Sequence, residues 1–166
     1  MPEVINTHGE IRQDQWQVIE RPVEGEVLTL PDDQPVLIPA DLWLAGDYAG
    51  NDRIGAWFDS HEEPEILAGR VNELPVIAVN FPKFVDGRGY SIARILRERL
   101  GYRGELRAIG DVLLDQLHYM KRCGFDAFVL RADKDSGKAL QCLNVFSNSY
   151  QAATDNDLPL FRRRAS

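Results

Sequence analysis

From Arg53 onward the chain repeats one alternation four times, a short apolar run followed by a stretch of different periodicity. "RIGAWF" leads into "SHEEPEILAGR", and "LPVIAVN" leads into a segment whose Ile92, Ile95, Leu96 and Leu100 recur at helical spacing. "ELRAIG" then precedes "DVLLDQLHYMKRCG", and "FDAFVL" precedes "DKDSGKALQCLNVFSNSY". Strands separated by helices cannot pair as hairpins, so each crossover returns the chain parallel to the strand before it. The pattern therefore predicts an α/β fold with a mostly parallel sheet, either an open layer or a partial barrel. Continuous apolar runs such as Val76 to Val79 suit strands covered on both faces.

Punctuation residues refine the helices. Ser60 with Glu63 has the spacing of a capping box, Asp111 stands where the third helix needs its cap, and Gly101 and Gly124 follow the second and third helices as stops. Leu113, Leu117 and Met120 share one face of the third helix, and the fourth is expected to be interrupted near Gly137. Before Arg53 the rhythm is absent. "QWQVI" and "VLTL" read as short strands on either side of the turn-rich "ERPVEGE", and "PADLWLAG" reads as a short helix with Pro39 near its first turn. This extension, residues 1–52, is expected to cap or extend the sheet of the 53–150 core, giving one domain over 1–150 and a flexible C-terminal tail over 151–166.

Charge narrows the function classes. The net charge is −7, or −10 without Arg162, Arg163 and Arg164, and an acidic body repels nucleic acid and anionic membranes. No apolar run approaches a bilayer span and the N-terminus lacks a leader pattern, which predicts a cytoplasmic protein. Cys123 and Cys142 match no metal-ligand or redox spacing, so no metal site is expected, and Cys123 reads as a small core hydrophobe.

Loops that follow parallel strands gather along one edge of the sheet. The richest of them is "NFPKFVDGRGYS". Its glycines, the helix start behind them and Arg88 suit an anion, although neither a P-loop nor a G-x-G-x-x-G fingerprint is present and no cofactor motif can be read. The candidate ligand-binding residues are Lys83, Asp86, Gly87, Arg88, Gly89, Tyr90, Ser91, Asp111, Arg131 and Lys134, with Asp86, Arg88 and Asp111 as catalytic candidates. Each has a plainer reading. Asp86-Gly87 is a common turn pair, Gly89 suits a positive φ, Ser91 and Asp111 are good helix caps, and Asp115, one turn after Asp111, is an ordinary solvated helix charge. His118 reads as a partly buried helix residue with an ordinary hydrogen bond.

The run "FPKFVDGRGYSIARILRERLGYRGELRAIGDVLLDQLHYMKRCGFDAFVLR", from Phe81 to Arg131, resembles the bacterial family of unknown function numbered 934, described as an oxidoreductase associated with sulfite reduction. The resemblance extends more loosely over "DQWQVI", "PADLWLAG" and "IGAWF". It implies an accessory role in assimilatory sulfite reduction and, as a partner, the haem-containing component of sulfite reductase. Three expectations follow: an accessory protein that binds the reductase or a small oxyanion at the Arg88 edge; a small enzyme acting on a phosphate- or carboxylate-bearing metabolite; or a non-catalytic scaffold that forms a homodimer.

Overall fold

The computed structural model describes residues 2–82, 87–131 and 133–144, so the expected tail and the candidates Lys83 and Asp86 lie outside the described residues. The strands are β1 (Glu3–Asn6), β2 (Ile11–Gln13), β3 (Gln17–Val18), β4 (Val36–Pro39), β5 (Ile54–Phe58), β6 (Val76–Phe81), β7 (Glu105–Gly110) and β8 (Ala127–Leu130). They form one eight-stranded sheet in the order β2-β1-β8-β7-β6-β5-β4-β3. From β3 to β8 every neighbouring pair is parallel, while β1 runs antiparallel to both β8 and β2. The predicted α/β class with a mostly parallel sheet is what the chain adopts.

Sheet order and chain length together dictate curvature. β2 and β3 occupy opposite edges of the sheet, yet only Asp14, Gln15 and Trp16 separate them in sequence. A flat sheet of this size would hold its outer strands about 33 Å apart at the usual strand spacing. The link can reach only about 14 Å when fully extended. The sheet is therefore rolled into a partial barrel, with residues 14–16 as the strap across its seam.

Two apolar layers follow from the rolled sheet. The outer one joins Ile38, Phe58, Ile77, Val79, Phe81, Leu106 and Phe128 of the strands to residues of all four helices. Those helices are α1 (Ala40–Ala45), α2 (Arg88–Arg94), α3 (Leu117–Cys123) and α4 (Ser136–Leu143). They supply Trp43, Ile92, Leu117, Met120, Cys123, Ala139 and Leu143 to this layer. The inner layer holds Leu37, Trp57, Val76, Ala78 and Ile109, with Trp16 of the strap and Val129 packed against it. Alternation along β6, where Val76 and Ala78 face inward and Ile77 and Val79 outward, shows how one continuous apolar run feeds both layers.

Several local expectations are corrected. "VLTL" forms no strand, and Val27 is 87% exposed, whereas the fully buried Val36–Pro39 is the strand that precedes α1. β1 and β2 were not anticipated. The segment after β5 is not an α-helix but two 3₁₀ turns, Pro64–Leu67 and Val71–Glu73. The reciprocal cap sits one residue earlier than expected: Asp59 N–H donates to Glu62 (2.6 Å), and Glu62 N–H donates back to the Asp59 carbonyl (3.1 Å). Asp111 is not the N-cap of α3, because a 3₁₀ turn at Leu114–Gln116 precedes that helix and its N-cap position is Gln116, without a side-chain bond. α4 runs unbroken through Gly137, with Asp135 capping it by accepting from Lys138 N–H. α2 continues into a π-helical turn, Ile95–Arg99.

That turn aims Arg97 at the N-terminal ends of β7 and β8, opposite the strand C-termini. Its Nε donates to the Gly124 carbonyl (2.9 Å) and its Nη1 to the carbonyls of Tyr102 (3.0 Å) and Gly104 (2.9 Å), with Asp126 at 3.4 Å from Nη2. One side chain thus satisfies three loop carbonyls in the segments leading into β7 and β8. Arg97→Met is expected to lower the unfolding free energy by about 3 kcal/mol, since bonds to a charged donor contribute about 1.5–3 kcal/mol each and lose additivity when shared. Urea denaturation of the full chain measures it, and Arg97→Lys should recover less than half.

Candidate functional site

Among the described residues, the C-terminal ends of β5 to β8 carry Asp59, Asn80, Asp111 and Arg131, and their geometry follows from the turns that end each strand. After β5, Asp59 Oδ1 accepts from Ser60 N–H (2.9 Å) and from Asn80 Nδ2 at the end of β6 (3.3 Å), while His61 Nδ1 lies 3.7 Å from Asp59 Oδ2. Glu62 also receives Arg21 (2.9 Å), whose other contacts are a two-point grip on Asp41 at 2.8 and 2.9 Å. The hydrogen bond from Arg21 holds the Asp41 carboxyl below its usual range. A loop of the N-terminal extension is thereby tied to the rim.

β7 ends at Gly110 with φ +88°, a conformation that favours glycine. A Cβ there would also meet the Phe81 carbonyl oxygen at 2.6 Å. The turn lets Asp111 N–H donate to that carbonyl (2.7 Å) and brings the Asp111 carboxylate to Arg131 at the end of β8 (3.2 Å). Arg131 also contacts Asp133 through Nε (3.2 Å), and Lys134 N–H closes the turn on the Arg131 carbonyl (3.0 Å).

Arg88 lies in a different group. Its guanidinium is 3.3 Å from Ser60 Oγ, and it lines a cleft of about 540 Å³ with Ser60, His61, Glu62, Glu63, Pro64, Glu65, Ser91, Ile92 and Ile95. The structure therefore joins Arg88 and Ser91 to the loop after β5, and Asp111 to Arg131 with Lys134 in the adjoining turn, as two clusters. The Arg88 cleft has three glutamates on its lining, of which Glu62 is paired with Arg21 (2.9 Å) and Glu65 with Arg99 (3.1 Å), beside the apolar Pro64, Ile92 and Ile95.

The remaining residues of the glycine-rich turn are explained by packing. Gly87 has φ −83° and Gly89 lies inside α2, so neither serves a positive φ. Gly89 is needed because a Cβ would meet the Phe81 ring at 2.6 Å. Ser91 lies within α2 and is not its cap. Tyr90 wedges between Phe81 (centroids 5.3 Å apart) and Tyr119 (4.9 Å), and burial pushes its phenol up to about 12. Cys123 is fully buried with its thiol raised by the same cause, consistent with a core hydrophobe, and His118 Nδ1 lies 3.5 Å from the Leu143 carbonyl. Among the described residues no group of three His, Cys, Asp or Glu side chains is arranged to hold a metal ion. No described helix is long and apolar enough to cross a membrane.

One cluster escaped the sequence reading altogether. Arg107, 2% exposed in the middle of β7, is paired with Asp14 of the strap (2.6 Å) and with Glu105, beneath Trp16. A signal existed: an arginine inside the apolar run "ELRAIG" requires a buried partner.

Two outcomes test this account. Gly89→Ala should destabilise the fold by about 1–3 kcal/mol through overpacking, and adding Phe81→Leu should restore part of that loss in the same denaturation measurement. In an ultraviolet titration the tyrosine signal should lack Tyr90 near pH 10, the ordinary range, and gain it only toward about 12. Because the folded value is raised, the stability supplied by the neutral phenol is complete below the ordinary value and is lost as pH climbs through the raised one. Tyr90→Phe removes that late component.

Residues 55–161 match the family described as "Bacterial protein of unknown function (DUF934)". No curated protein and no solved structure matches the chain.

Proposed function

The chain belongs to the bacterial protein family of unknown function DUF934, and from that premise we propose that it is an accessory binding protein of assimilatory sulfite reduction whose Arg88 cleft docks the haem-containing component of sulfite reductase. The pathway comes from the family resemblance, and the mode of action from the rim. The observation that carries it is the Arg88 cleft: Glu62, Glu63 and Glu65 surround Pro64, Ile92 and Ile95, a combination that suits a basic and apolar segment of a partner protein. With Glu62 paired to Arg21 and Glu65 to Arg99, Glu63 beside Arg88 leaves the cleft near electrical balance, which suits a mixed polar and apolar partner segment better than a small oxyanion, so the partner reading outranks the anion reading there.

The second rim cluster supports the same choice. Asp111 and Arg131 neutralise one another, and Asp133 completes the pair's surroundings. A general base must be within reach of a substrate proton, whereas this carboxylate is engaged by the Arg131 guanidinium. A role as docking surface needs no such reach. The overall charge of −7 adds long-range attraction to a basic partner face.

The test is retention of the reductase by tagged full-length chain from cells that make both. Wild-type chain should hold the haem-containing component, identified by its absorption spectrum, and lose it as salt rises from about 0.05 to 0.5 M. Glu63→Lys with Glu65→Lys should lower retention about tenfold with circular dichroism unchanged. Absence of the reductase at low salt, or undiminished retention by the double variant, refutes the proposal.

A further inference from the structure

The geometry points to a second, cationic site at the barrel seam, where Arg12 and Arg107 would bind the oxyanion group of a small organic molecule. The cavity there measures about 390 Å³ and is lined by Arg12, Gln13, Gln15, Trp16 and Arg107. It lies on the inner face, away from the Arg88 cleft beside α2, and its lining contains two arginines, two amides and an indole without a carboxylate.

Glu105 brings the two cations together. Its Oε2 accepts from Arg12 Nη2 (2.8 Å) and its Oε1 from Arg107 Nε, while Asp14 takes Arg107 Nη1 (2.6 Å). Arg12 Nε and Nη1 and Arg107 Nη2 make no hydrogen bond among the described residues. The carboxylates therefore hold the forks from one side and leave donors on both arginines. Two neighbouring guanidinium groups with unused donors are suited to a carboxylate, sulfonate or phosphate, which can accept from both at once.

The plainer reading is a latch: a buried ion pair that fastens the strap to β7. Asp14 and Trp16 do fasten it, and that explains Arg107, which is 2% exposed. It does not explain Arg12, 45% exposed on β2, held beside Arg107 across the mouth of a cavity. Volume identifies the ligand class. The cavity falls within the span of small-molecule sites, roughly 300–1,000 Å³, and is too roomy for a bare ion. Trp16 offers an apolar wall for the organic body, and Gln13 and Gln15 offer amides to its polar substituents.

Isothermal titration calorimetry on the full chain, at constant ionic strength set with chloride, tests this with phenylphosphate, benzoate and inorganic phosphate. At least one of the two organic anions should bind about tenfold more tightly than inorganic phosphate, and Arg12→Gln should weaken it about tenfold. Arg12→Lys, which keeps the charge and loses the fork, should fall between. Arg103→Gln, an exposed arginine outside the cavity, should bind as wild type. Because Arg12 is on the surface, these variants leave the Arg107–Asp14 pair intact, and an unchanged urea midpoint confirms it. No heat with either organic anion, equal affinity for inorganic phosphate, or undiminished binding by Arg12→Gln overturns the proposal. None of these outcomes bears on retention of the reductase.

Discussion

The three-residue strap between β2 and β3 is the constraint on which the rest of the architecture depends. Parallel pairing from β3 to β8 and antiparallel pairing through β1 set the strand order, but order alone permits an open sheet. Joining the two edge strands through Asp14, Gln15 and Trp16 removes that option, because a link of this length cannot cross a flat sheet. Rolling the sheet gives the strands an inner face that must be filled. The chain fills it with Trp57, Ala78, Ile109 and Trp16, and with Arg107, whose charge is acceptable there only because the strap delivers Asp14. Trp57 in turn donates its indole N–H to the Ile19 carbonyl (3.0 Å), just after β3, so the inner layer grips the chain on the far side of the seam as well.

Curvature also decides what the rim can do. Bringing successive strand ends around an arc lets Asp59 reach Asn80 and Asp111 reach Arg131, each a contact between neighbouring strands. Such contacts consume charge. The rim of this protein spends its aspartates on turns and neighbours, and the Arg88 cleft, on the helical side, carries glutamates of which Glu62 and Glu65 are paired with Arg21 and Arg99. A division of this kind favours surface recognition at the cleft over bond chemistry at the strand ends.

Much of the core was legible in the sequence, and the reasons separate cleanly. β5 to β8 are apolar runs bounded by helices or glycine stops, so each announced itself. Pro39–Ala45 did likewise through its proline. β1 and β2 are four and three residues long and owe their existence to partners elsewhere in the chain, which no local pattern encodes, whereas β3 falls inside the expected strand "QWQVI". "VLTL" had the propensity and lacked the partner. The capping box at Ser60 failed because Pro64 and Gly69 permit only short 3₁₀ turns, and the actual exchange is between Asp59 and Glu62. For the site, the sequence placed Asp111 and Arg131 each after a strand, and their pairing required the strand order that sets β7 beside β8. The reason for Gly89 was not legible, since it is the Phe81 ring, eight residues earlier and at the end of β6.

The two recesses differ in the charged groups that line them, and that difference is physically informative. Acidic residues dominate the composition, so a glutamate-lined cleft needs no special arrangement beyond an apolar floor. A cationic recess in the same acidic body does need one, because each arginine must be kept from collapsing fully onto the carboxylates that outnumber it. Here the spacing of Glu105 and Arg107, two residues apart on β7 and on the same inward face, sets one carboxylate between two arginines. Arg107 is fixed by burial, and the pairing of β2 with β1 places the backbone of Arg12 beside it at the sheet edge. The donors left over are a consequence of the barrel seam, and the same short strap that rolls the sheet is what keeps them facing the cavity.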